Sequence, residues 1–136
     1  MQSDTANVSK KAVWAGRIIS ALPVLFLAMD GVMKVVKPAF VVDATVKLGY
    51  PESVIVLLGI VLLICVVLYV IPQTAVVGAI LLTGYLGGAV ATHVRVGDPL
   101  FTHVLFPIYF GVLIWLGLYL RDGRLRSLTP LRTTGQ

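Results

Sequence analysis

The segment Ser53-Val-Ile-Val-Leu-Leu-Gly59-Ile-Val-Leu-Leu-Ile-Cys65-Val-Val-Leu-Tyr-Val-Ile71 carries no charged side chain. About 20 apolar residues in helical form cross the hydrocarbon of a bilayer, and this run is long enough. A backbone in lipid has to satisfy its own hydrogen bonds, which a single segment achieves only as a helix. The segment therefore reads as a transmembrane helix, and the rest of the fold follows from finding its partners.

Toward the C-terminus, Ile71-Pro72-Gln73-Thr74 leaves room only for a tight turn. The next apolar segment, about 74–92, must then run antiparallel beside the first, with Thr74 placed to cap it. Gly84, Gly87, Gly88 and Ala91 share one of its faces, and Gly84-x-x-x-Gly88 is a small-xxx-small pattern that lets backbones approach closely in lipid. This face is expected to form the tightest helix–helix contact, within the chain or between copies. A polar turn follows, with His93, Arg95, Asp98 and Pro99. The last span covers about 103–120 and aligns His103, Phe106, Pro107, Phe110, Ile114 and Gly117 on one face. Trp115 and Tyr119 stand near its far end as interfacial anchors.

Toward the N-terminus, Pro51 is suited to open the charge-free helix. The longest loop precedes it, and Phe40 to Leu48 has the spacing of a short amphipathic helix lying on the membrane surface. Lys37-Pro38 ends an earlier span, about 13–36, because the residue before a proline is pushed out of the α region. That span carries Arg17, Pro23, Asp30 and Lys34. Arg17 can snorkel at one boundary, which puts Asp30 roughly 20 Å further along, near the other. Gly16, Ile19, Pro23, Phe26, Asp30 and Lys34 share a face that is expected to turn into the bundle, since a carboxylate facing lipid is costly. Asp30 and Lys34 are spaced for an i, i+4 ion pair with the acid first. They are read either as a neutralised interfacial pair or as a buried carboxylate with a functional role.

Composition agrees with this reading. Of 136 residues, 58% are hydrophobic and only 12% charged, with a mean hydropathy of +0.97; a soluble domain carries about twice that charged fraction. The fold class is all-α: a polytopic membrane protein, an antiparallel four-helix transmembrane bundle. A polar tail (1–11) precedes the membrane domain (12–120), and a basic tail (121–136), expected to be disordered, follows it. The net charge of +5 flanks apolar segments and is not interleaved with aromatics on one exposed face, so nucleic acid is excluded as a partner. The partner is the lipid bilayer. The single cysteine, Cys65, excludes an internal disulfide and a redox cysteine pair. No small-residue cleavage site follows a short apolar core, so the first segment reads as a retained span. The basic residues at the ends place both termini in the cytoplasm, in the cell membrane of the source cell.

With four spans, Asp30, Lys34, His93, Arg95, Asp98 and His103 converge on one membrane face. Two histidines and two carboxylates do not make a metal site here, because no ligands recur at i, i+3 or i, i+4. A cluster of satisfied salt bridges is the plainer reading. His103 above Phe106 and Phe110 could line a pocket for a flat ligand, or simply pack. No nucleophile–base pair, phosphate loop or dinucleotide fingerprint is present, and no catalytic residue is assigned.

The assembled pattern resembles the DoxX-like family of small four-span membrane proteins. The resemblance rests on Asp30-Gly31-Val-Met-Lys34 with Lys37-Pro38, Leu48-Gly49-Tyr50-Pro51, Leu58-Gly59-Ile60, Ile71-Pro72-Gln-Thr74 and Gly87-Gly88-Ala-Val-Ala91-Thr-His93-x-Arg95-x-Gly97-Asp98. It implies a four-helix membrane bundle and, through the family's namesake, a subunit associated with a thiosulfate:quinone oxidoreductase. Two departures stand out: Asp30 takes a position where relatives often have a small residue, and the second span lacks a glutamate common among them. The resemblance implies a non-catalytic subunit or accessory of a quinone-linked redox system, with quinone as the implied cofactor and a membrane redox partner or a second copy as the implied protein partner. The alternatives are a small oligomeric carrier and a structural or stress-related membrane protein without ligand.

Overall fold

The computed structural model describes residues 9–128. Six helices follow one another: α1 (Lys10–Val36), α2 (Ala39–Lys47), α3 (Ile55–Val70), α4 (Ala75–Arg95), α5 (Phe106–Arg121) and α6 (Gly123–Leu128). Short 3₁₀ turns at Glu52–Val54 and Pro72–Thr74 lead into α3 and α4, and a π-helical turn at Leu100–Val104 leads into α5. Four segments are long and apolar enough to cross a membrane: Lys10–Val36, Glu52–Val70, Pro72–Arg95 and Leu100–Arg121. The protein is an all-α, four-helix transmembrane bundle.

The long helices turn their greasiest residues outward. Ile18, Leu22, Leu25 and Met29 on α1, and Leu57, Ile64 and Val67 on α3, are all exposed. In water such stripes would drive aggregation, whereas lipid tails solvate them without penalty. α1 packs on α3 and α5, and α4 packs on the same two, so α1 and α4 occupy opposite corners of a ring. The core between them includes Leu27, Leu62, Tyr69, Leu82, Ile114 and Leu118.

Small residues decide how closely these helices meet. A Cβ on Gly16 of α1 would come 2.6 Å from the Gly117 carbonyl oxygen of α5, and one on Gly59 of α3 would come 2.7 Å from the Gly31 oxygen of α1. Gly78 of α4 lies directly against the backbone of Tyr69 in α3. The glycine face expected to be tightest behaves differently. Gly84, Gly87 and Gly88 are exposed, with no atom within 4 Å of where a Cβ would stand, and Ala91 is exposed beside them. Among the described residues nothing packs on this face: the short turn after α3 sets the rotation of α4 so that Gly78, Ala79, Leu82 and Leu86 point inward.

The inward face of α1 is also rotated from the expected one. Its buried residues are Gly16, Ser20, Pro23, Leu27 and Gly31. Close approach needs glycine at the line of contact, so Phe26, Asp30 and Lys34 stand at its edge. Lys37 ends α1 in a left-handed conformation (φ 58°) and donates its N–H to the Met33 carbonyl at 2.9 Å, a helix-closing bond made by a non-glycine residue.

Three further expectations change. Thr74 stands at the start of α4 but does not cap it; its hydroxyl donates to the Leu68 carbonyl at 2.7 Å and so ties off the end of α3. The Trp115 indole, expected as an interfacial anchor, donates to the Thr83 hydroxyl at 2.7 Å and so links α5 to α4. The start of the basic tail is helical, as α6: Arg126 donates to the carbonyls of Tyr119 and Leu120 at 2.8 and 3.2 Å, covering acceptors that the end of α5 leaves open. The tail segments 1–8 and 129–136 lie outside the described residues.

Candidate functional site at the polar end of the bundle

The turn from α2 into α3 is fastened across the end of α4. Gly49 has φ +95° there, a conformation that costs a side-chain-bearing residue about 1–2 kcal/mol. The missing side chain also makes space, since a Cβ would lie 2.9 Å from the Arg95 guanidinium. Arg95 uses that space to donate to the Leu48 carbonyl at 2.6 Å. The Thr92 hydroxyl donates to the Gly88 carbonyl at 2.8 Å, and with that proton committed, the Tyr50 hydroxyl at 2.8 Å is the donor to Thr92.

Beyond Thr92 the chain folds back. Gly97 at φ +75° lets the Asp98 N–H reach the His93 carbonyl at 3.0 Å. The same turn places an Asp98 carboxylate oxygen 2.6 Å from His93 Nδ1. An ionised carboxylate only accepts, so Nδ1 carries the proton and Nε2 is the ring nitrogen left over. The π-helical turn comes next, with Val104 and Leu105 donating five residues back to the carbonyls of Pro99 and Leu100. Pro107 explains where the turn gives way to α5: it has no N–H to offer the His103 carbonyl. His103 is thereby held beside the end of α4, its ring edge-on to His93 with centroids 5.7 Å apart. The Thr102 hydroxyl lies 2.8 Å from His103 Nδ1.

Three phenylalanines gather between α1 and the start of α5. Phe26 of α1 stacks on Phe110 of α5 (centroids 4.7 Å, interplanar angle 23°), and Phe106 meets both rings edge-on at 5.5 and 4.8 Å. Phe26 is 40% and Phe106 41% exposed, so this aromatic wall is open on one side to lipid. One turn beyond Phe26, Asp30 and Lys34 form an ion pair at 2.5 Å, both half-buried. Lys37 pairs with Glu52 at 3.4 Å across the loop.

The six polar residues singled out in the sequence thus resolve into separate units. Asp30 pairs with Lys34; His93 joins Asp98 and His103; Arg95 binds a backbone carbonyl and, among the described residues, no carboxylate. Among the described residues no three histidine, cysteine, aspartate or glutamate side chains gather as a metal site would require. Phe106 and Phe110 do lie together, joined by Phe26, which the sequence placed on the inward face of α1 but not with the ligand-facing pair. Tyr50 and Thr92 were passed over, although a tyrosine two residues after an expected surface helix is a reasonable candidate for reaching back to a neighbour. The histidine pair offers ring nitrogens, and the phenylalanine wall offers a stacking surface with an opening to lipid.

The sequence profile of the DoxX-like family matches residues 18–117. That range takes in α1 from its third turn, every loop between the spans and most of α5. No curated protein and no solved structure matches the chain.

Proposed function

The chain belongs to the DoxX-like family, and from that premise we propose that it is a non-catalytic membrane subunit or accessory of a quinone-linked redox system. The observation that carries this reading is the half-exposed aromatic wall of Phe26, Phe106 and Phe110, with His103 three residues before Phe106 in the chain. A quinone headgroup is flat, carries carbonyl acceptors and arrives from the lipid on an apolar tail. Stacking aromatics and a ring N–H at the depth of a headgroup suit such a ligand. The quinone would supply the carriage of electrons and protons. The protein's residues would hold and orient it: the phenylalanines by stacking, the histidines by hydrogen bonding.

The charge distribution supports an orientation. Lys10, Lys11, Arg121, Arg124, Arg126 and Arg132 lie at the termini, against Lys34, Lys37, Lys47 and Arg95 at the other end. This bias puts the termini in the cytoplasm and the histidine pair on the outer side of the cell membrane. The exposed face of Gly84, Gly87, Gly88 and Ala91 is the surface offered to a partner, either a redox subunit or a second copy, since small residues let another helix approach.

The test is purification in mild detergent without added ligand, followed by mass spectrometry of the protein and its lipid extract. A retained quinone, lost in Phe106→Ala and His103→Ala proteins that still fold, is the expected result. Protein that holds no quinone and brings down no redox subunit removes the support for this reading.

A further inference from the structure

The opposite end of the bundle, where the two ends of the described chain lie, contains a cavity of about 680 Å³ between α1, α3, α5 and α6. Val13, Ala21, Val24 and Val70 form an apolar wall, whereas Arg17, Arg121 and Arg124 bring three guanidinium groups from three helices. Asp122 is the one carboxylate in the lining. It is taken by Arg124, 3.6 Å from its Nε and accepting its backbone N–H at 2.9 Å.

Among the described residues, Arg17 and Arg121 have no carboxylate in salt-bridge range. Arg17 lies over the Trp14 ring at 5.5 Å. Arg121 lies over the Tyr69 ring at 4.8 Å and donates to the Tyr69 carbonyl at 3.4 Å. Its Nε is buried without a hydrogen-bond partner. A half-buried guanidinium at a membrane boundary is costly unless an anion offsets it, and aromatic rings do so only in part. Arg121 is the half-buried charge and Arg17 stands exposed at the rim; among the described residues no carboxylate balances either.

We propose that this cavity binds the phosphate of an anionic membrane lipid. Arg17, Arg121 and Arg124 take the phosphate oxygens, for which a guanidinium fork is well shaped. Val13, Val24 and Val70 take the adjoining part of the acyl chains. Trp14, 61% exposed beside Arg17, favours a lipid over a soluble phosphate, because exposed indoles settle at headgroup depth. The site is independent of the quinone reading, which concerns the other end of the bundle.

The experiment uses the full chain in mild detergent, with lipid retention followed by native mass spectrometry and thermal stability followed on titration. The probes are phosphatidylglycerol, phosphatidylcholine and inorganic phosphate. Arg121 also packs on Tyr69, so the deciding protein is Arg17→Gln/Arg124→Gln, whose two side chains are exposed. Phosphatidylglycerol should be retained and stabilising in the parent, with affinity falling roughly fivefold for each arginine removed, while phosphatidylcholine is indifferent to the change. Equal retention of phosphatidylglycerol by parent and double variant overturns the site. Stabilisation by inorganic phosphate alone, lost in the variant, overturns the lipid as its occupant.

Discussion

The hydroxyl of Tyr69 on α3 donates to the carbonyl oxygen of Ile114 on α5 at 2.6 Å. Its single proton is thereby used, so the Ser20 hydroxyl of α1, 2.9 Å away, is the donor to Tyr69. One fully buried phenol joins three of the four spans. Tyr69→Phe leaves the buried Ser20 hydroxyl without its partner, and should cost about 1–3 kcal/mol. Ser20→Ala leaves the Tyr69–Ile114 bond intact and should cost less. Thermal unfolding in detergent checks the order, and equal losses would count against this assignment of donors.

Glycine substitutions should divide sharply by position. An added methyl at Gly78 meets the backbone of Tyr69 and comes 2.7 Å from the Leu68 carbonyl carbon, groups that cannot rotate aside. Gly78→Ala should lose at least the roughly 1–3 kcal/mol typical of overpacking. Gly88→Ala meets nothing and should fold as the parent does. Gly88→Leu should also fold, and if copies meet on this face it should shift the native mass from oligomer to monomer.

Replacing Gly49 tests the loop clamp. Gly49→Ala forces an L-residue to φ +95° and pushes its methyl at the Arg95 guanidinium. Expected are a loss of about 1–2 kcal/mol from the backbone alone and faster amide exchange at residues 48–52. Unchanged exchange would mean that Arg95 does not hold this turn.

Asp30 and Lys34 should behave as a unit. Lys34→Met strands a carboxylate at the edge of the bundle, and Asp30→Asn strands an ammonium, so each single change should destabilise more than the pair of changes together. The double-mutant cycle should return a coupling of about 0.5–3 kcal/mol. Additive effects would place both groups in free contact with water.

How much of this was legible in the sequence depended on what each signal measures. The apolar run from Ser53 to Ile71 and the turn at Pro72 are enough for the bundle, because lipid leaves a chain few choices. The parity of four spans likewise brings Asp30, His93 and His103 to one end. Their pairing was not legible. It depends on the π-helical turn, whose trace in the sequence is the pair of prolines, Pro99 and Pro107, that bracket His103. The rotation of α1 is not legible from its charged residues, which need not point inward; the contact line belongs to Gly16, Ser20 and Gly31, and Asp30 is satisfied at its edge by Lys34. Tyr69 gave no warning, since a tyrosine near the end of an apolar run looks like an interfacial anchor. Its role appears only once Ser20 and Ile114 are known to be its neighbours.

The ring order of the spans bears on how the protein is made. Synthesis delivers α1 first and α5 last among the long helices, yet these two meet at Gly16 and Gly117. The first span to emerge is also the one burdened with Arg17, Pro23 and Asp30. Until α5 leaves the ribosome, Ser20 lacks the phenol that α5 helps to position, and one flank of α1 faces lipid or the insertion machinery. A nascent chain halted before Phe106 should therefore hold α1 through α3 alone, and completion of the last span is the step that closes the second flank of the first.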